Sequence, residues 1–297
     1  MSVEIVELTP EIIGARLGQN LYNSKGCLLL RKGVEINEHY FSYFKENGYK
    51  SVFLLSDPFD SNGAPVQPVS EKLMATAPPT LKKIFRLLMH ESKTSTMKAK
   101  NELVRLAEAI LADVDYKVHK IGNVLDLKRR NDYLFQHSVN VAIYAVLMGH
   151  SLNLTQSALR HLVIAALLHD FGMLFIEPSI LNKESMLEQE EFERIKEHTT
   201  QGFRHLVGHC FFDGLSSVAS VQHHERFDGE GYPKNLTGEQ IHEFSRIITL
   251  ADFFDAWTSD RPHRRLHSID TTLDFIQSNV ERIFDPRLVE VFVRLFG

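Results

Sequence analysis

At 297 residues, with 43% hydrophobic and 24% charged side chains, the chain is long enough for one large core and one smaller domain. A formal net charge of -5 excludes a broad basic face for double-stranded nucleic acid or an anionic membrane, so an anionic ligand would have to be held locally. The two cysteines, Cys27 and Cys210, cannot build a disulfide framework and read as ordinary thiols of a reducing compartment.

The first residues, MSVEIVELTPEIIGARL, lack a basic start, an apolar stretch and a small-residue cleavage site, and the expected location is the cytoplasm. Residues 1–55 predict a small α+β module for regulation or interaction, with short strands around an Asn23–Gly26 turn, a helix over INEHYFSYFKENG closed by Gly48, and a last strand in KSVFLL. Residues 56–80 collect Pro58, Pro65, Pro68, Pro78 and Pro79 and read as a linker. Residues 81–130 predict two connecting helices, the second from about Lys98 to Lys128 and long enough for a stalk or a homodimer seam.

From 131 to 297 the pattern is helical throughout, in VNVAIYAVLMGHSL, SALRHLVIAALLHDFG, EEFERIKEHTTQGFRHLV, LSSVASVQHHE, FSRIITLADFFDAWTSD, SIDTTLDFIQSN and DPRLVEVFVRLFG. The expected fold is mainly α, a helical bundle behind the small module. The most apolar runs, Val139–Gly149 and Leu162–Leu168, are shorter than the ~20 residues a membrane helix needs and read as core.

Of 15 histidines only His39, His90 and His119 precede residue 137, so any chemistry belongs to the C-terminal half. His169 and Asp170 end the apolar run LVIAALL, where an unpartnered imidazole or carboxylate would cost several kcal/mol (about 2–7 for even a neutral polar group). A hydrogen-bonded His–Asp pair would satisfy an isolated dipeptide. Here His137, His198, His223–His224 and Asp252 follow or precede it at intervals of 25 to 32 residues, about one helix and its connection each, so successive helices can deliver ligands to one centre.

Five histidines and two aspartates are too many for one zinc ion and suit two metals with Asp170 as the bridging carboxylate. Nitrogen and oxygen donors without thiolate favour iron or manganese, with zinc and nickel compatible. Such a pair can neutralise a phosphoryl oxygen and activate water for phosphodiester hydrolysis; oxygen chemistry at a di-iron centre stays open on the ligands alone.

HDFG (169–172), HHERFDGEGYP (223–233) and LADFFDAWTSDRP (250–262), with QHS (136–138) and KEHTTQG (196–202), resemble the HD-GYP branch of the HD superfamily over about residues 131–297. The first 55 residues are similar, by glycine spacing, to a small module that often precedes such domains. The resemblance implies a phosphodiesterase that linearises cyclic di-GMP to pGpG and carries it on to GMP. It implies one metal on His137, His169, Asp170 and Asp252, and another on Asp170, His198, His223 and His224. Asp228, Gly229, Gly231, Tyr232 and Pro233 would form the lip of the ligand groove, and Arg261 would hold a phosphate through its bidentate fork.

Three positions depart from the family pattern. Met173 replaces the lysine of HD-x-G-K, His263 replaces the tyrosine of SDRPY, and Tyr133 stands where three-metal members carry a glutamate. Two metals are therefore implied, and His263 offers an imidazole as donor or general acid. Losing one charge-assisted contact to the transition state costs on the order of 10² to 10³ in rate. Two rival readings follow: a signalling or scaffold protein that binds metals and nucleotide with impaired turnover and contacts partners through its N-terminal module, or an HD phosphohydrolase for another nucleotide.

The remaining signals read as structure. His205 and His209, four apart, have no carboxylate on their face; EQEEFE (188–193) caps a helix; Trp257 packs in a core; His150, His161, His242 and His267 are ordinary surface or helix-end histidines.

Overall fold

The computed structural model describes residues 3–22, 27–55, 68–90, 92–114, 133–181, 183, 185–259 and 267–296. Its first part holds strands β1 (Val3–Glu7), β2 (Leu21–Tyr22), β3 (Leu28–Leu30) and β4 (Ser51–Leu55), with helix α1 (Glu38–Glu46) before the last. β1 pairs antiparallel with β4, Val6 opposite Val52, and β2 pairs antiparallel with β3 across the expected turn, whose residues lie outside those described. The Asn37 side chain accepts the Tyr40 N–H to start α1, and Gly48 ends it at φ 75°. Ile12, Leu17, Ile36, Phe44 and Val52 form a core belonging to this part of the chain.

The helical part runs α2 (Glu71–Leu88), α3 (Lys93–Asp113), α4 (Tyr133–Ser151), α5 (Gln156–Leu168), α6 (Pro178–Leu181), α7 (Gln189–Gly208), α8 (Gly214–Gln222), α9 (Glu243–Thr258), α10 (Ile269–Ser278) and α11 (Pro286–Phe296). α4 is its axis: it is buried without interruption from Phe135 to Gly149 and packs on α2, α5, α9 and α11. Such a helix is apolar all round because no side of it meets water.

The linker expected over 56–80 is too long. α2 begins at Glu71 and carries Pro78 and Pro79 in its interior. An interior proline costs about 3 kcal/mol in an isolated helix, but here Leu73, Met74, Ala77, Leu81, Ile84, Phe85 and Leu88 bury a continuous face. Ser70 caps the start by accepting the Leu73 N–H and donates its own N–H to Asp113 of α3. Packing outweighs the breakers. α3 also starts earlier than expected, at Lys93, and runs to Asp113; its expected continuation lies outside the described residues. The Asn20 N–H donates to the Glu71 carboxylate at 3.1 Å, tying the first part to α2.

One stretch among the described residues, Gln156–Phe175, is long and apolar enough to cross a membrane when α5 is counted with the 3₁₀ turn after it; 67% of its most apolar window is buried inside the bundle.

Candidate metal centre

Five helices deliver the residues. α4 carries His137 in its first turn, α5 ends on His169 and Asp170, α7 carries His198, α8 ends on His223 and His224, and α9 carries Asp252. Local chemistry fixes each helix end. Thr155 caps α5 by accepting the Ala158 N–H, Glu188 and Glu191 form a capping box on α7, and Asp213 accepts the Ser216 N–H to start α8. The Thr249 hydroxyl donates to the His223 carbonyl at 2.8 Å and locks the end of α8 to α9.

The five histidines gather around Asp170, and Asp252 joins them through His137. Asp170 Oδ2 lies 3.5 Å from His169 Nε2 and 3.8 Å from His137 Nε2; its Oδ1 lies 3.4 Å from His198 Nε2 and 3.5 Å from His223 Nε2. Asp252 Oδ1 stands 3.0 Å from His137 Nε2. Two groups have ligand atoms close enough to share an ion: His137, His169 and Asp170, and Asp170, His198, His223 and His224. Asp170 belongs to both, one oxygen toward each.

The imidazoles are oriented by their other nitrogens. Nδ1 of His169 meets the Ala166 carbonyl at 2.7 Å, that of His198 the Ile195 carbonyl at 2.6 Å, and that of His223 the Ala219 carbonyl at 2.7 Å. His137 Nδ1 meets Asp255 Oδ2 at 2.7 Å, and Asp255 accepts a further bond from Asn140 through Oδ1. At His169, His198 and His223 the carbonyl partner puts a proton on Nδ1 and turns Nε2 toward the cluster, whereas both nitrogens of His137 meet carboxylates. His169 Nε2 is buried with no hydrogen-bond partner among the described residues. A buried ring nitrogen aimed at carboxylate oxygens beyond bonding range fits a metal ion between them.

Electrostatics divide the imidazoles into two kinds. Burial pulls the His137 imidazole down, yet the Asp252 and Asp255 carboxylates against its two nitrogens prevail and raise it to about 9. Burial drives His198 down to about 4 and His224 well below the ordinary imidazole value. Burial opposes ionisation of Asp170, but the neighbouring His169 and its companions hold the carboxyl well below its usual range. At neutral pH the site thus presents an ionised Asp170 and neutral His198 and His224, the states in which these groups bind cations, beside a protonated His137 that must give up its Nε2 proton to bind one.

Beside the cluster, residues 225–237 form a tight loop. The buried Glu225 carboxylate accepts the Lys234 and Leu236 N–H groups at 2.7 and 3.0 Å. Asp228 accepts the Glu230 N–H and pairs with Arg226, which makes it a turn former. Gly229 takes φ 84°, and a Cβ on Gly231 would lie 2.3 Å from the Arg226 nitrogen, so only glycine lets the strands of the loop close. Tyr232 stacks on His224 at 4.8 Å, and Lys196 Nζ lies 5.3 Å from the Tyr232 ring. Pro233 follows through a cis peptide bond.

Sequence reasoning missed Asp255, Asn140, Glu225 and Lys196. Asp255 was discoverable as a second carboxylate one turn after Asp252 in ADFFDAW; Glu225 and Lys196 carry no such signal, since their partners are set by folding. Arg261 and His263 lie outside the described residues. Tyr133 stacks on His137 with rings 5.5 Å apart, so an aromatic face stands at the position that the family pattern gives to a glutamate in three-metal members. His205 is bound to the Leu88 carbonyl, away from the cluster, and Trp257 packs among Phe253, Phe275 and His267.

A helical bundle whose helices bring five histidines to the one buried carboxylate of Asp170 defines the class: a metal-binding fold of the HD type. The family model of the HD domain matches residues 124–288, more than half of the chain, and the chain belongs to the HD domain family, in its HD-GYP branch. It is 36% identical over 151 residues to the cyclic di-GMP phosphodiesterase response regulator RpfG of Xanthomonas campestris, covering 50% of this chain and 40% of that one. It is 35% identical over 169 residues to 3'3'-cGAMP-specific phosphodiesterase 3 of Vibrio cholerae, covering 57% and 36%. A cyclic di-GMP phosphodiesterase of Thermotoga maritima is 30% identical over 72% of this chain and 59% of its own length. The matches thus span well under two thirds of these relatives' lengths. Among solved structures, the HD-G"Y"P protein Bd1817 of Bdellovibrio bacteriovorus shares the fold across 98% of both chains, with a TM-score of 0.60 and 14% identity.

Proposed function

We propose that this chain is a metal-dependent phosphodiesterase acting on a cyclic dinucleotide of the cyclic di-GMP class, opening it to the linear form and on to mononucleotide. The carrying observation is Asp170, one oxygen toward His137 and His169 and the other toward His198 and His223. In this reading one divalent ion is held by His137, His169, Asp170 and Asp252, and a second by Asp170, His198, His223 and His224. The donor set favours iron or manganese, with zinc and nickel as alternatives. When bound, such a pair neutralises a phosphoryl oxygen and brings the pKa of water toward neutrality.

The chain's own residues do the rest. Asp255 orients His137, and backbone carbonyls orient His169, His198 and His223. The Gly229–Pro233 loop forms a lip beside His224, with Tyr232 as its aromatic face. Lys196 lies beside that tyrosine with its charge paired to Glu193 at 2.8 Å, and so does not replace the cation that Met173 lacks. Arg261 and His263 enter as the phosphate fork and the proton donor read from the sequence. A cytoplasmic setting, and partner contacts through the N-terminal module, belong to the same proposal.

The test is hydrolysis of cyclic di-GMP, 3'3'-cGAMP and pGpG by protein purified without oxygen, with its metal content measured first. Product that disappears in Asp170→Ala is expected. Fully metallated protein that binds a cyclic dinucleotide in calorimetry and releases no product supports the second reading, a nucleotide-binding signalling protein, which Met173 at the usual lysine position favours.

A further inference from the structure

Away from the metal cluster, the last turn of α7, the end of α2 and the start of α3 enclose a cavity of about 450 Å³. Small-molecule sites commonly measure about 300–1,000 Å³. Its floor is apolar and closed: Leu88 and Cys210 are each 1% exposed, and the Cys210 thiol, held by burial as a neutral group, donates to the Leu88 carbonyl. Its mouth is apolar and open, because Met97 is 65% and Phe211 69% exposed. Large side chains left in water around a concave wall are unfavourable unless something covers them.

Phe211 is also strained. Its φ of 55° lies in the left-handed region, which costs a non-glycine residue roughly 1–2 kcal/mol. Lys100 holds it there, donating from Nζ to the Phe211 carbonyl at 2.6 Å while lying 4.7 Å from the Phe212 ring. The polar lining is Ser92, Thr96, Lys93, Lys100, His90, His205 and His209, two of them cations, with no carboxylate among the described lining residues. The histidines do not form a metal site. His205 Nε2 donates to the Leu88 carbonyl at 2.9 Å, and among the described residues no group here brings three ligand atoms together.

We infer that this cavity is a second ligand site, independent of the metal cluster, for a small monoanion with an aromatic or aliphatic body. The anionic group pairs with Lys93 at the rim, and the body lies on Met97, Phe211 and Leu88. Two turns of α7 separate His205 from His198, and the His205 ring packs 5.4 Å from Phe171, the residue after Asp170. The pocket wall is thereby continuous with the scaffold of the metal cluster.

The probe is 8-anilinonaphthalene-1-sulfonate, titrated by fluorescence into the folded full chain, with neutral N-phenyl-1-naphthylamine as its uncharged counterpart. Saturation at one site is expected, with the neutral compound roughly tenfold weaker or more. Lys93→Glu and Met97→Glu, both at exposed positions, should each weaken the sulfonate by roughly tenfold, about 1.4 kcal/mol, while the circular dichroism melt and metal content stay as in the parent. Sulfonate affinity unchanged in both variants overturns the site. Equal affinity for the neutral compound overturns the anion requirement.

Discussion

Asp170 has no substitute within the cluster, because two groups of imidazoles meet on its two oxygens. Asp170→Asn keeps the volume and removes the charge, so elemental analysis of the purified variant should find both ions lost; full retention contradicts the ligand assignment. Asp255→Asn leaves every proposed ligand present but loosens His137, and a 10–100-fold weaker metal titration is expected, roughly the usual effect of removing an outer partner. The metal-free protein should show a pH signature. His137 is raised from 6.5 to about 9 in the fold, so its contribution is complete below pH 6.5 and is lost as pH rises through 9. His169 is shifted in the same direction, whereas His198 and His224 are lowered and act below pH 6.5. The urea-unfolding free energy of metal-stripped protein should therefore fall from pH 7 to 9, by about 2 kcal/mol for His137. A flat or rising profile would contradict the paired-imidazolium picture.

At the scale of elements, α7 and the 3₁₀ turn after Asp170 touch backbone to backbone. A Cβ on Gly172 would lie 1.9 Å from the His198 carbonyl oxygen and 2.9 Å from the Gly202 nitrogen. Gly172→Ala must push α7, with His198 on it, away from Asp170. We expect a loss of about 3 kcal/mol in urea unfolding together with reduced metal content; wild-type stability would mean the turn yields instead. Helices α4, α5 and α7 to α11 were legible from their apolar runs and periods, and the structure adds the caps that start several of them, Thr155, Glu188, Asp213 and Ser268; the short α6 was not expected. α2 was not, since Pro78 and Pro79 argue locally for a break while burial against α3 and α4 decides otherwise.

For the whole molecule, the proposed ligands come from five helices spread from residue 137 to 252, so metal binding closes the bundle on itself. Manganese or ferrous ion added to stripped protein at about 100 times its dissociation constant should stabilise it by about 2.7 kcal/mol. A melting temperature that rises with metal, falls with chelator and stays unmoved in Asp170→Asn is the expected pattern. A rise that survives in Asp170→Asn would place the stabilising ion elsewhere.

The sequence alone pointed to the residues proposed for the centre. His137, His169, Asp170, His198, His223, His224 and Asp252 each stand at helix-length intervals, and a buried helix end admits an imidazole or carboxylate only with a strong partner. It also determined the helical class, through periodicity and caps. The tertiary structure alone decided which oxygen of Asp170 faces which imidazoles, that Asp255 rather than a carbonyl orients His137, and that Glu225 knits the 225–237 loop. It alone revealed the cavity under Phe211, built by α2, α3 and α7 from residues 88 to 211. Periodicity and caps are properties of neighbours along the chain. Second partners and cavities depend on distances between helices, which packing sets and no local pattern encodes.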